Sequence, residues 1–282
     1  MKVSELNVYP LKSGRGIALT EAEIGPAGIP GDRQMMVTDP DGMFITQRDL
    51  PALARLGVTP QPSSVEIGME GWGSLTVDRP DAQQRMDVVV WKSALSAAVA
   101  GDEVNRTLSE WLGREVRLVF FDGRSHRTAS SEWAGEDTPV TFADGYQVLI
   151  TTTASLAAIN ADMRARDEGE IGMQRFRPNI VIETDEAWVE DNWESVEIGG
   201  ITFDLVKPCA RCIMTTQDQK TGSRDVASPM PAMGRIRMSA DRRVPGPLFG
   251  WNAVPRQSGR IRLGDEVRVT SRREMPWPIK RR

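Results

Sequence analysis

Residues 207–216 read Lys207-Pro208-Cys209-Ala210-Arg211-Cys212-Ile213-Met214-Thr215-Thr216, and they hold both cysteines of the 282-residue chain. The segment closes a predicted strand and sets its thiols beside the fixed charges of Lys207 and Arg211. Neighbouring cations favour the thiolate, the form that ligates metals or attacks electrophiles. Three readings compete. Free cysteines are often small buried hydrophobes. A C-x-x-C pair can be a thioredoxin-like couple, which expects the pair to open a helix, and Ile213-Met214-Thr215-Thr216 has poor helix propensity. The third reading is a functional thiolate. A disulfide three residues apart would close only a tiny loop, so no disulfide scaffold is available. With one histidine, His126, the chain cannot assemble a zinc knuckle. Metal chemistry must therefore rest on thiolate, or on a metal carried in by an organic cofactor.

Working outward, the composition is that of an ordinary soluble globular protein, with 40% hydrophobic and 26% charged residues, long enough for two modest cores. Thirty-five Lys+Arg against 39 Asp+Glu give a net charge of −4 and a pI near 5.3. That balance lacks the basic footprint of a nucleic-acid binder, so any anion site must be a local cluster. No run approaches the roughly 20 apolar residues of a membrane span, and Met1-Lys2-Val3-Ser4-Glu5-Leu6 lacks a signal-peptide pattern. The expectation is a cytoplasmic protein without nucleic-acid or membrane partners.

Before Cys209 the chain is strand-dense. Residues 3–11 and 16–24 read as strands around Lys12-Ser13-Gly14-Arg15. Residues 34–38 and 43–47 read as a hairpin around Asp39-Pro40-Asp41-Gly42, and residues 64–68 and 74–77 as a second pair. Val104, Leu108, Trp111 and Leu112 recur at helical spacing, with Asp102 as the expected N-cap and Gly113 as the C-terminal stop. Residues 122–139 form a polar connection taken as the joint between two halves. The second half opens on the strand Val148-Leu149-Ile150, and Thr151-Thr152-Thr153 follows at a strand-to-helix turn, an anion-site geometry. Gly199-Gly200 signals a two-residue hairpin. Residues 214–234 read as loop, and Gly264-Asp265 as the turn between two closing strands. The last residues, Lys280-Arg281-Arg282, read as a solvated tail.

Cations recur in small-residue loops: Lys12-Ser13, Gly31-Asp32-Arg33 and Arg175-Phe176-Arg177-Pro178-Asn179. Each alone reads by default as a solvated or ion-paired surface charge. Together they could bind phosphate, with guanidiniums suited to bidentate recognition and Asn179 able to read a heterocycle edge. His126 lies in a polar loop and is expected to be exposed. No serine-hydrolase or dinucleotide-binding signature occurs.

Seven segments in this order resemble the MOSC proteins. They are Tyr9-Pro10-Leu11-Lys12-Ser13, Gly31-Asp32-Arg33, Phe142-Ala143-Asp144-Gly145, Thr153-Ala154-Ser155-Leu156, Arg175 through Ile180, Lys207 through Cys212, and Leu248-Phe249-Gly250. The resemblance spans nearly the whole chain. It implies a strand-rich α+β fold, with an N-terminal β-barrel-like domain over residues 1–120, a MOSC β-barrel domain over 121–273 and a tail over 274–282. It also implies a molybdenum cofactor, molybdopterin, whose metal takes one protein thiolate, here Cys212, with Cys209 a neighbour. Lys12, Ser13, Arg33, Arg177 and Asn179 match cofactor-holding positions, and Thr152, Thr153 and Ser155 match less closely.

The implied reaction is two-electron reduction of N-hydroxylated compounds such as amidoximes, hydroxylamines and N-hydroxylated bases. Asp144 or Asp218 could supply protons. An iron–sulfur cluster needs about four cysteines, which this chain lacks, so electrons must arrive from a separate flavin or iron–sulfur protein. A carrier that delivers cofactor or sulfur without turnover is the alternative.

Overall fold

A computed structural model describes residues 1–280. β1 (Lys2–Val8) buries Val3, Leu6 and Val8, and its alternation slips once, between Val3 and Glu5, where the pairing register also shifts. β2 (Ile17–Leu19) and β3 (Glu21–Ile24) follow the Lys12-Ser13 loop, and β4 (Met35–Thr38) is buried on both faces. β5 (Leu56–Pro60), β6 (Ser64–Met69) and β7 (Gly73–Asp78) make a three-stranded meander. β8 (Arg85–Val90), β9 (Ser93–Val99) and β10 (Arg117–Phe120) join β4 in a second sheet, ordered β4-β10-β9-β8.

The helix α1 (Asp102–Leu112) sits where periodicity puts it, and Leu108, Trp111 and Leu112 enter a core with Val37, Ile67 and Leu118. Its cap is Gly101, however. Asp102 is the first helical residue, where a carboxylate meets the positive end of the helix dipole without bonding it. Gly113 ends the helix at φ +64°. The hairpin expected after β4 forms its turn and one antiparallel bridge, Thr38 with Phe44, but no second strand. A Cβ on Gly42 would lie 2.1 Å from the Asp87 carbonyl, so the turn is pressed against β8. Met43 then bridges Val89, and the chain leaves the sheet after Ile45 bonds Val37.

In the second half a short α2 (Ser131–Ala134) precedes β11 (Val148–Thr152), α3 (Thr153–Arg164) and β12 (Ile180–Glu183), a parallel β-α-β crossover. β13 (Trp193–Ile198) and β14 (Ile201–Ala210) turn at Gly199 and Gly200, with φ of +57° and +79°, as a two-residue left-handed turn requires. Residues 214–234 are not all loop: α4 (Met230–Ile236) packs Ala232 and Met233 against Phe249. Its Pro231 and Gly234 obscure it in sequence. β15 (Leu248–Pro255), β16 (Gly259–Arg262) and β17 (Val267–Arg272) complete the chain. Gly264-Asp265 does not join a hairpin, because β16 pairs with β3 and β17 with β13.

The largest sheet runs β17-β13-β14-β15-β11-β12-β1-β2, so the first strand pairs with the second half. Val8 belongs to the core beneath that sheet and Leu11 to the core of the first half. Lys12 and Ser13 thus emerge where the chain passes from one core to the other. Of the tail, Lys280 donates its N–H to the Met238 carbonyl, while Arg281 and Arg282 lie outside the described residues.

Candidate cofactor-binding site

Where the two cores meet, a cleft opens between the loop after β1, the turn before β12 and the end of β14. It encloses about 860 Å³, counting the space at its mouth. Lys12, Arg33, Arg175, Arg177 and Arg211 line it, five cations against the single lining carboxylate of Asp144. Backbone strain concentrates here. Among the described residues seven non-glycine residues take positive φ; Ser13 (66°), Arg33 (46°) and Arg177 (55°) line the cleft, and Trp91 (55°) bonds the cleft residue Asp144 from outside the lining. Such conformations cost about 1–3 kcal/mol each and persist where a site over-determines them.

Lys12 is almost fully buried. It donates to the Phe142 carbonyl at 2.9 Å and to Asp144 Oδ1 at 2.5 Å. Burial pushes the Lys12 ammonium down, against the pull of Asp144. Desolvation by itself would raise the carboxyl of Asp144, whose side chain stays 70% exposed, but Lys12, Arg33 and Arg48 around it hold it well below the carboxylate range. Asp144 is thus ionised at neutral pH, an acceptor and not a stored proton.

Arg33 and Arg177 both stack on Tyr9, at 4.2 and 4.3 Å from its ring centre. Arg177 Nη1 donates to the Gly14 carbonyl at 2.7 Å, while its Nη2 is buried without a partner. Burial and the neighbouring Arg33 charge push the Arg177 guanidinium down to about 10, leaving it cationic at neutral pH. A buried donor with no acceptor, beside a second guanidinium, suits an anion.

Asn179 lines the cleft but cannot read a heterocycle. Its Nδ2 is spent on Asn7 O and Asp32 Oδ1, and its Oδ1 on Leu149 N and Arg33 Nη1. Its work is to seat Asp32 and Arg33. The threonine cluster lies elsewhere. Thr152 caps α3, and its Oγ1 and Ser155 Oγ bond the two oxygens of buried Glu190 at 3.0 and 2.7 Å; Thr153 bonds Thr184. Thr152, Thr153 and Ser155 therefore hold the crossover and do not line the cleft. Asp218 is likewise committed, to the amides of Lys220 and Thr221. His126 is exposed, as expected.

Both thiols line the cleft. Cys209 Sγ accepts from Arg211 Nη1 at 3.0 Å, and Cys212 Sγ from Arg48 Nη2 at 3.0 Å. Cys212 ends the extended segment, and only a four-residue 3₁₀ turn, Ile213–Thr216, follows it. Arg175 holds that turn through the Thr215 carbonyl. Arg48 is absent from the sequence reading. It belongs to the loop left free by the broken hairpin, pinned by Gln47, whose buried side chain bonds the Ser13 carbonyl at 2.8 Å. No local pattern connects Arg48 with Cys212, and only folding brings them together.

The donor set fits one type of ligand. Clustered guanidiniums and an unmet buried N–H suit phosphate, and a cysteine thiolate suits a soft metal. Among the described residues no group of three or more His, Cys, Asp or Glu could hold a metal by itself. Fold and cleft thus bring a cluster of cations and two thiols together where the two halves of the chain meet.

Comparison with known proteins agrees. The MOSC domain matches residues 137–268, and the MOSC N-terminal beta barrel domain residues 1–115. The chain belongs to the MOSC family, which is associated with the molybdenum cofactor. It is 30% identical to "Mitochondrial amidoxime reducing component 2" of Rattus norvegicus, over 94% of this chain and 82% of that one. It is 29% identical to "Mitochondrial amidoxime-reducing component 1" of Danio rerio, over 94% and 83%. It is also 29% identical to the human component 2, over 94% and 82%.

Proposed function

We propose that the chain is a molybdenum-cofactor-dependent reductase of N-hydroxylated compounds, fed by a separate electron-donor protein. The observation that carries this reading is the convergence, in one cleft, of an unpartnered buried guanidinium nitrogen on Arg177 with the thiol of Cys212. The names of the relatives give the class of substrate.

Lys12, Ser13, Arg33 and Arg177 would hold the pterin phosphate, and Cys212 would give its thiolate to the metal. When bound, the cofactor supplies a metal that takes up an oxygen atom and passes two electrons. The overall change balances as R–C(=NOH)NH2 + 2e⁻ + 2H⁺ → R–C(=NH)NH2 + H2O: the N–O bond breaks and oxygen leaves as water. In this chain the ionised Asp144 accepts a hydrogen bond from an N–H or O–H of the substrate and does not supply the proton. Both protons then come from solvent through the open mouth.

The test is turnover of benzamidoxime by molybdenum-loaded protein with an artificial electron donor. Formation of benzamidine is the expected result. Exchange of cofactor with a partner protein, without turnover, would instead identify a carrier.

A further inference from the structure

The rim of the cleft carries an aromatic that the site itself does not explain. Trp91 is the first residue of the two-residue turn joining β8 and β9, and it takes φ +55°. That position favours glycine or asparagine, and a bulky side chain there is a genuine outlier. Strain of this kind is kept where it does something. Trp91 is also 41% exposed, which is unusual for so large an apolar group.

Its surroundings fix the ring in place. The Phe44 ring lies 4.9 Å away at a tilt of 57°, and the Arg48 guanidinium carbon lies 4.9 Å from the indole centre. The same Arg48 donates to Cys212 Sγ, and the indole Nε1 donates to Asp144 at 3.3 Å. Trp91 is therefore tied by one residue to the thiol and by another to the carboxylate at the mouth. The Lys12 ammonium also lies 5.8 Å from the indole centre, so a partly exposed indole held by a guanidinium, an ammonium and a carboxylate offers its remaining open surface to a flat, conjugated group.

We propose that Trp91 is a specificity-determining residue that favours planar aryl N-hydroxylated substrates over small alkyl ones by stacking on their ring. This rests on the reductase reading above. The N-hydroxyamidine group would face Asp144 and Cys212, with its conjugated aryl ring against the indole. Aromatic pairing adds about 1 kcal/mol beyond burial, roughly fivefold in affinity, and the lost ring burial adds to that.

The experiment compares kcat/KM for benzamidoxime and for acetamidoxime in molybdenum-loaded wild type, Trp91→Ala and Trp91→Phe. The aryl-to-alkyl ratio is expected to fall about tenfold in Trp91→Ala, through KM, and to hold within about twofold in Trp91→Phe, which keeps a ring. An unchanged ratio in Trp91→Ala, with both compounds reduced, overturns the inference. A second readout needs no turnover: benzamidoxime added to the chain should shift the indole N–H resonance assigned by Trp91→Phe. If loaded wild type reduces neither compound, the reductase reading fails, and the presence or absence of that shift still decides for or against the aryl contact.

Discussion

Arg48 Nη2 and Cys212 Sγ lie 3.0 Å apart across 164 residues of sequence, one from each half of the chain. The contact spans the boundary that the two matched domains define. It makes the thiol environment a joint product of both halves, and the stacking of Arg33 and Arg177 on Tyr9 joins the same two halves. Arg48→Ala and Arg48→Lys are both expected to lower kcat/KM for benzamidoxime by about tenfold or more. A lysine keeps the charge but not the planar fork that reaches Sγ while covering Trp91. Steady-state kinetics on protein of matched molybdenum content checks this.

Arg177 is the residue proposed to anchor an anion in the cleft, through its unpartnered Nη2. Replacing it by methionine keeps bulk and removes the unpartnered donor, at a cost of about 1.5–3 kcal/mol of charge-assisted bonding, or ten- to hundredfold in affinity. Arg177→Met should lose molybdenum on dialysis under conditions where wild type retains it. Metal content measured after graded dialysis reads the difference.

Thr152 and Ser155 make the opposite prediction. Thr152→Ala removes a helix cap and a partner of buried Glu190, and should cost about 1–2 kcal/mol in stability. Molybdenum content should not change, because neither side chain faces the cleft. Thermal unfolding and metal analysis of the same preparation separate the two effects.

Glu190 sets a pH dependence. Burial, with Asp191 beside it, pushes its carboxyl above the ordinary 4.5, against the hydrogen bond from Ser155. The folded state then binds this proton more tightly than the unfolded one. The contribution is therefore full below 4.5 and is lost as pH rises through the raised folded value. Glu190→Gln should flatten that decline, seen as a urea midpoint that no longer falls as pH rises above the ordinary 4.5.

How much of this was legible in the sequence follows from the range of the interactions. Local signals were enough for α1, for the Gly199-Gly200 hairpin and for the anion-suited loops at Lys12, Arg33 and Arg177. Partners distant in sequence were not legible. Thr152 and Ser155 show the spacing of an anion turn, but Glu190, 38 and 35 residues on, claims their hydroxyls. Asn179 has the chemistry to read a heterocycle, yet its four bonding positions are filled from Asn7, Asp32, Arg33 and Leu149. Gly264-Asp265 is a sound turn whose flanking strands pair elsewhere. Arg48 and Trp91 lie in turns with no periodicity, and only the fold gives them a role.

The central claim is that Cys212 alone gives the cleft its metal ligand. The direct measurement is the molybdenum-to-protein ratio, by mass spectrometry, of wild type, Cys209→Ser and Cys212→Ser purified from a host able to make the cofactor. Near-stoichiometric molybdenum in wild type and Cys209→Ser, with its loss in Cys212→Ser, is the predicted result. Equal metal in all three, or none in any despite confirmed cofactor synthesis, would contradict it.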